Sequence, residues 1–323
     1  MLGGVVLGMK SSLLGIGGLV ALVCLIGAAL AWFFYAPMPK ASEVRGESVT
    51  LTLGGRARSF VVVTPPTLKP GAPVLLVLHG SLMDGPKMRG MLGPRFERLA
   101  REQGAVVVYP SGIEGHFNDG RVTASYSART LNIDDVGFTR AIIDTLATAH
   151  GIDRQRVYAF GYSNGGAMAL RLAAEAPELV AGVIVACANV PTPDNMDWKM
   201  QPGRTAVVLL AGTKDPIVPY DGGRVTIFGF GDRGTVLSAP ASARWFAQRS
   251  GLGTEPVADA TQRIGALDVR QQDWGTPARV RLVTMQGAGH TVPQPDYRFP
   301  RFLGATVADD AILDTAWRLI DRR

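Results

Sequence analysis

The sequence predicts an α/β fold, with a mostly parallel central sheet and helices on both faces. Two observations predict it. The runs "APVLLVLHG", "AVVVYP", "RVYAF", "VAGVIVACA" and "TAVVLLAG" are continuously apolar and stop at glycine, proline or a turn. That is the pattern of strands buried on both faces. Between them lie segments with apolar residues at helical spacing, and alternating strands and helices imply parallel pairing.

The chain opens on an apolar segment. Residues 11 to 39 carry no charge, and Leu13 to Tyr35 are almost all apolar or small. A helix that crosses the hydrocarbon core needs about 20 residues. The apolar part of a cleaved signal usually has about 7–15. The segment is therefore read as an N-terminal transmembrane or signal helix, an uncleaved anchor in preference to a cleaved signal. Ala29-Leu30-Ala31 fits a cleavage site, and Met9-Lys10 fits an internal start. "PMPKASEVRGES" reads as a linker, so residues 1–40 are assigned to the signal-anchor and linker start and residues 41–323 to one folded domain.

Within that domain "VTLTL" and "SFVVVTP" read as paired strands that extend the sheet antiparallel at one edge. "MRGMLGPRFERLAREQG" is a helix candidate interrupted by Pro94. "IDDVGFTRAIIDTLATAHG" is a helix with Asp134 and Asp135 in its first turn and Gly151 at its end. "GGAMALRLAAEAP", "SAPASARWFAQRSG" and "ADDAILDTAWRLIDRR" complete the helices, and "ARVRLVTMQG" adds a strand.

Composition bounds the function. With 323 residues, 47% of them hydrophobic, the chain can build one large core. The net charge of +6 is spread along the chain with no run of five Lys or Arg, which excludes a nucleic-acid partner. The two cysteines, Cys24 and Cys187, form no metal-ligand pattern. Neither a metal nor a cofactor is expected.

The stretch "RVYAFGYSNGGAMAL" holds Ser163 between Gly161 and Gly165, where a strand gives way to a helix. Such a turn projects a serine hydroxyl above the carboxyl end of a sheet. A serine needs a base, and the base needs a carboxylate to fix its tautomer. Of four histidines, His290 alone follows Ser163, in the glycine-rich "MQGAGHTVP". His150 sits at a helix end and His116 in a loop. Asp215 stands just past the strand "TAVVLLAG", and Asp221 is the competing carboxylate. The order Ser163, Asp215, His290 is that of α/β-hydrolases. Backbone N–H groups of Asn164 and of Ser81 or Leu82 are the expected oxyanion donors. His79 is read as an orienting residue.

Seven motifs follow in order: "VLHGS", "VVYPSG" with "FNDGR", "DDVGF", "RVYAFGYSNGG", "GTKDPIVPYDGG", "VLSAPASARWFA" and "GAGHTVP". Together they resemble the polyhydroxybutyrate depolymerase/feruloyl esterase group of α/β-hydrolases, the LpqC-like esterases, over roughly residues 50–295. The resemblance implies a serine esterase with Ser163 as nucleophile and Asp215 and His290 as partners. It implies a catalytic domain outside the cytoplasm and an ester substrate, either a small molecule or a polymer. It also places His79, Phe117, Asn118 and Val292 at the substrate. The family usually has Trp where Phe117 and Val292 stand, so short acyl or hydroxyacyl esters, such as poly(3-hydroxybutyrate) oligomers, are expected over feruloyl esters. The alternatives are acyl transfer on the same fold and feruloyl or acetyl-xylan ester hydrolysis.

Overall fold

In the computed structural model, residues 3–36, 44–227 and 229–321 are described, the side chains of 3–18 and of Leu99 excepted. The expected linker at residues 37–43 lies outside them. Helix α1 (Gly3–Phe34) comes first. Among the described residues no helix is long and apolar enough to cross a membrane. The expectation of a membrane anchor is corrected to that extent. The far end of α1 rests on the domain: Arg301 donates to the Trp32 carbonyl at 2.7 Å, and its guanidinium lies over the Trp32 ring.

Strands β1 (Glu47–Leu53) and β2 (Arg56–Val63) form a hairpin around Gly54 and Gly55, both with positive φ. The core strands are β3 (Val74–Leu78), β4 (Val106–Pro110), β5 (Val157–Tyr162), β6 (Gly182–Ala186) and β7 (Ala206–Gly212). Nearly every one of their residues is buried, as the apolar runs require. A small ribbon, β8 (Gly223–Arg224) with β9 (Thr235–Val236), stands outside the main sheet. The hairpin β10 (Ala258–Ile264) with β11 (Leu267–Trp274) and then β12 (Val280–Met285) complete a ten-stranded sheet.

Its order is β1-β2-β4-β3-β5-β6-β7-β12-β11-β10. Pairing is parallel from β4 to β12 and antiparallel at both edges. This is the α/β-hydrolase arrangement, with the predicted antiparallel extension at the first edge. The extension at the second edge was not expected. Strand β10 is almost wholly exposed, so its sequence carries no apolar alternation to betray it.

Helices α4 (Asp135–His150), α5 (Asn164–Glu175) and α6 (Ala239–Arg249) pack on one face through Phe138, Ile142, Met168, Leu172 and Phe246. Helices α2 (Gly85–Gln103) and α7 (Ala311–Ile320) cover the other through Met88, Leu92, Phe96, Ile312 and Trp317. The short α3 (Ser127–Thr130) lies in the loop before α4. Helix α2 starts earlier than expected because Asp84 caps it, accepting from Lys87 N, and it continues through Pro94. In α4 the two predicted acidic residues divide their work. Asp134 is the N-cap, while Asp135 is buried in an ion pair with Arg58 at 2.5 Å.

Candidate active site

The carboxyl ends of β5, β7 and β12 meet at one edge, and each delivers one side chain. Ser163 follows β5 directly and adopts φ +54°, ψ −114°. A non-glycine residue rarely holds this conformation, and such strain concentrates at functional turns. Close backbone approach makes the turn possible. A Cβ on Gly165 would lie 2.4 Å from the Leu78 carbonyl oxygen, and one on Gly161 would lie 2.2 Å from that of Gly165. Gly165→Ala should therefore destabilise the fold by about 1–3 kcal/mol or more. A melting temperature equal to that of the unmodified protein would contradict this packing.

His290 reaches the site from the loop after β12. Its N–H donates to Leu303 O at 2.6 Å, and Gly289 lies so close to that segment that a Cβ there would stand 1.9 Å from the same oxygen. Nε2 of His290 is 2.9 Å from Ser163 Oγ, and Nδ1 is 2.8 Å from Asp215 Oδ2. The other carboxylate oxygen of Asp215 accepts from Ile217 N and Val218 N, each at 2.8 Å. The acid is thus clamped by backbone on one side and orients the imidazole on the other. Asp221, the competing carboxylate, is exposed in a turn. Both side chains of the His290–Asp215 pair are 3% exposed, so water does not weaken the contact. The Tyr162 hydroxyl donates to His290 O at 2.9 Å and steadies the loop.

Cys187 adds a feature the sequence did not suggest. It follows β6 directly with φ +58° and donates to Thr291 O at 3.3 Å. Burial, reinforced by Asp215, pushes its thiol well above the usual range, so it is a neutral neighbour. The donor atoms of Cys187, Asp215 and His290 lie within 4.8 Å of one another, and each already has a hydrogen-bond partner.

Two backbone donors converge near Ser163. Neither Ser81 N–H nor Asn164 N–H carries a hydrogen bond among the described residues. Asn164 opens helix α5, where the first N–H groups lack intrahelical partners. Gly80 abuts Ser163, with 3.6 Å between an ideal Cβ and the serine Cβ. Leu82 is corrected: its N–H donates to Gly115 O at 2.9 Å. Its side chain, at φ +62°, instead forms an exposed rim.

The four expected substrate contacts are also corrected. His79, Phe117, Asn118 and Val292 are all buried and stand off the cavity wall. Val292 is inside the core on the face that α2 and α7 cover. Phe117 packs on the His79 ring at 4.5 Å. Asn118 donates to Ile133 O at 3.0 Å, and its N–H donates to Asp135 at 2.6 Å. His79 joins two loops: Gly112 N–H donates to its Nε2 at 2.9 Å, so Nδ1 carries the proton given to Gly80 O at 2.7 Å.

Burial lowers His79 to about 4, against a partial rise from the Gly80 contact. The folded form stays neutral where the unfolded form protonates, near 6.5. Stability is full above that value and is lost as pH falls towards 4. The loss between pH 7 and 5 is about 2 kcal/mol. Urea unfolding at both pH values should show a smaller loss for His79→Asn, and equal losses would contradict the assignment.

"FNDGR" contributes through Asp119 and Arg121. The two form a buried ion pair at 2.6 Å. Asn164 Nδ2 donates to Asp119 at 2.7 Å and to Phe117 O at 3.0 Å. Burial alone would raise the Asp119 carboxyl, and the charge and hydrogen bonds of Arg121 more than offset it, holding it below its usual range. This network braces the loop beside the elbow.

A cavity of about 530 Å³ opens at Ser163 and His290. Met83, Met91, Ile217, Val218 and Phe299 supply much of its wall. Its lining is predominantly apolar, as in small-molecule sites.

Comparison with known proteins bears on the fold and the family. A phospholipase/carboxylesterase family profile matches residues 134–236. A protein of Nocardia uniformis subsp. tsuyamanensis named as an esterase, NocK, is 30% identical over 82% of this chain and 80% of its own length. Feruloyl esterase B of Piromyces equi is 25% identical over 68% of this chain, which spans only 39% of that protein. The solved acetyl xylan esterase from Aspergillus awamori superposes with a TM-score of 0.54 at 17% identity, covering 77% of this chain and 96% of that one. That structural likeness shows the fold. The identity to the Nocardia protein across four-fifths of both chains carries the relationship further. The chain is an esterase-type hydrolase of the α/β-hydrolase fold and belongs with the Nocardia esterase in one family.

Proposed function

We propose that the chain hydrolyses short acyl or hydroxyacyl esters, of the kind found in poly(3-hydroxybutyrate) oligomers, through Ser163, His290 and Asp215. The observation that carries this is the unbroken hydrogen-bond chain from Asp215 through His290 to Ser163, at 2.8 and 2.9 Å. His290 Nε2 takes the Oγ proton as Oγ bonds to the ester carbonyl carbon. The carbonyl oxygen becomes an oxyanion, to which Ser81 N–H and Asn164 N–H donate. The C–O bond to the alcohol breaks as His290 returns the proton to the leaving oxygen. Water, deprotonated by His290, then releases the acid and restores Ser163. Asp215 stabilises the imidazolium formed in both halves.

A second reading takes acetyl or feruloyl esters of polysaccharides, and the names of the similar acetyl xylan and feruloyl esterases favour it. Transfer of the acyl group to a sugar hydroxyl would use the same acyl-enzyme. Turnover of acetyl, butyryl, 3-hydroxybutyryl and feruloyl esters, with products weighed in the presence of a sugar acceptor, separates the three. Preference for the butyryl pair and release of free acid support the proposal. Feruloyl preference or an acylated sugar would replace it.

We further propose that residues 41–323 form the catalytic domain and act outside the cytoplasm, with residues 1–40 directing export. The uncharged apolar run from Leu13 to Tyr35 supports this. Sequencing the N-terminus of the protein recovered from intact cells tests it. A domain inaccessible to external protease in spheroplasts would contradict it.

A further inference from the structure

The cavity at Ser163 has a sign. Among its lining residues the ionisable side chains of fixed charge are Lys87, Arg121 and Arg233, with no Asp or Glu. Two of these cations are already answered. Lys87 sits at the exposed rim, 3.7 Å from Asp84. Arg121 is matched by Asp119 through contacts of 2.6 and 3.1 Å. Arg233 is not answered. It is 9% exposed, and no carboxylate pairs with it among the described residues. Its one side-chain hydrogen bond to the described residues runs from Nη1 to Gly231 O, at 2.9 Å.

Among the described residues that leaves the Nε–H and Nη2–H edge without a partner, the edge that meets a carboxylate with two parallel hydrogen bonds. A cation nine-tenths buried and unpaired is costly. Burial, and then the nearby charge of Arg121, hold Arg233 below the ordinary arginine value. The backbone that carries it is nevertheless held in place. Asn195, 1% exposed, donates through Nδ2 to Arg233 O at 2.9 Å and to Thr235 O at 3.0 Å. Its Oδ1 accepts from Thr123 N at 3.0 Å. Gly234 approaches Asn195 so closely that a Cβ there would lie 2.4 Å from its amide. One buried asparagine therefore ties the segment bearing Arg121 to the loop bearing Arg233.

We propose that Arg233 is a carboxylate-binding residue of this pocket, and that the preferred substrates are esters with a free carboxylate away from the scissile bond. An acid-terminated hydroxyacyl oligomer has this chemistry, and so does a dicarboxylic hemiester. Apolar walls hold the chain between the two ends. The inference rests on the ester-hydrolase reading of the same site and names the substrate class within it.

The test measures binding apart from turnover. Ser163→Ala protein is titrated calorimetrically with monomethyl succinate and with dimethyl succinate. The monoester should bind at least about 10-fold more tightly, as expected for a charge-assisted pair. Adding Arg233→Gln should remove that preference, and Arg233→Lys should restore part of it. Raised salt should weaken the monoester alone. In the active enzyme, the kcat/KM ratio of p-nitrophenyl hemisuccinate to p-nitrophenyl butyrate should fall about 10-fold or more in Arg233→Gln. Equal binding of the two succinates, or a ratio that Arg233→Gln leaves unchanged, would overturn the proposal. Failure of the ester-hydrolase reading shows differently, as ester turnover that survives Ser163→Ala.

Discussion

Replacing Ser163 by alanine is expected to lower kcat for p-nitrophenyl butyrate by about 10⁴-fold or more without a loss of melting temperature. The hydroxyl makes one described contact, to His290 Nε2 at 2.9 Å, so its removal frees only that ring nitrogen, on a side chain that lines the cavity. Alanine keeps the Cβ and the backbone bond from Ser163 N to Ala186 O. His290→Ala should cost nearly as much, because no other imidazole faces the serine. Asp215→Asn should cost about 10⁴-fold as well, since an amide in place of Oδ2 disfavours the tautomer that accepts the serine proton. Combining any two changes should add little, for the three act as a unit. A milder Asp215→Asn effect than Asp221→Asn would move the acid elsewhere.

The second large effect concerns stability. Asp119→Ala should destabilise the fold by about 3–5 kcal/mol, because it leaves the Arg121 guanidinium buried without its partner. Asp119 is 0% exposed and Arg121 5%. The loss should spread, since Asn164 Nδ2 donates to the same carboxylate and also holds Phe117 O. Urea unfolding measures the loss, and esterase activity at low temperature should fall with it as the loop that Asn164 holds loosens. Replacing both charges, as in Asp119→Leu with Arg121→Met, should recover much of the stability. A change under about 1 kcal/mol for Asp119→Ala would mean that water reaches the pair.

The parallel heart of the sheet was legible because burial on both faces demands unbroken apolar runs, and β3 to β7 supply them. The residues of the candidate triad were legible from their order and their places at strand ends. The second edge was not: β10 is exposed, and an exposed strand in a hairpin needs no apolar signature. The substrate contacts failed for another reason. A family resemblance carries a position along the chain but not its depth, and Phe117 and Val292 lie in the core. In "FNDGR" the weight falls on Asp119 and Arg121, whose buried pairing no local pattern announces. Leu82 failed as an oxyanion donor because its N–H is taken by the carbonyl of Gly115, 33 residues away, on the loop whose Gly112 N–H donates to the His79 ring. Arg233 sits in a glycine-rich loop without periodicity, so only the fold could place it on the cavity wall.

The central claim is that Ser163 is a nucleophile activated by His290. A fluorophosphonate reports on it directly, since it forms a phosphonyl bond to an activated serine oxygen with loss of fluoride. Intact mass should rise by one phosphonyl group, and peptide sequencing should place it on Ser163. Labelling should vanish in Ser163→Ala and slow by orders of magnitude in His290→Ala. Labelling that persists in Ser163→Ala, or a fully folded protein that takes up none, would contradict the account.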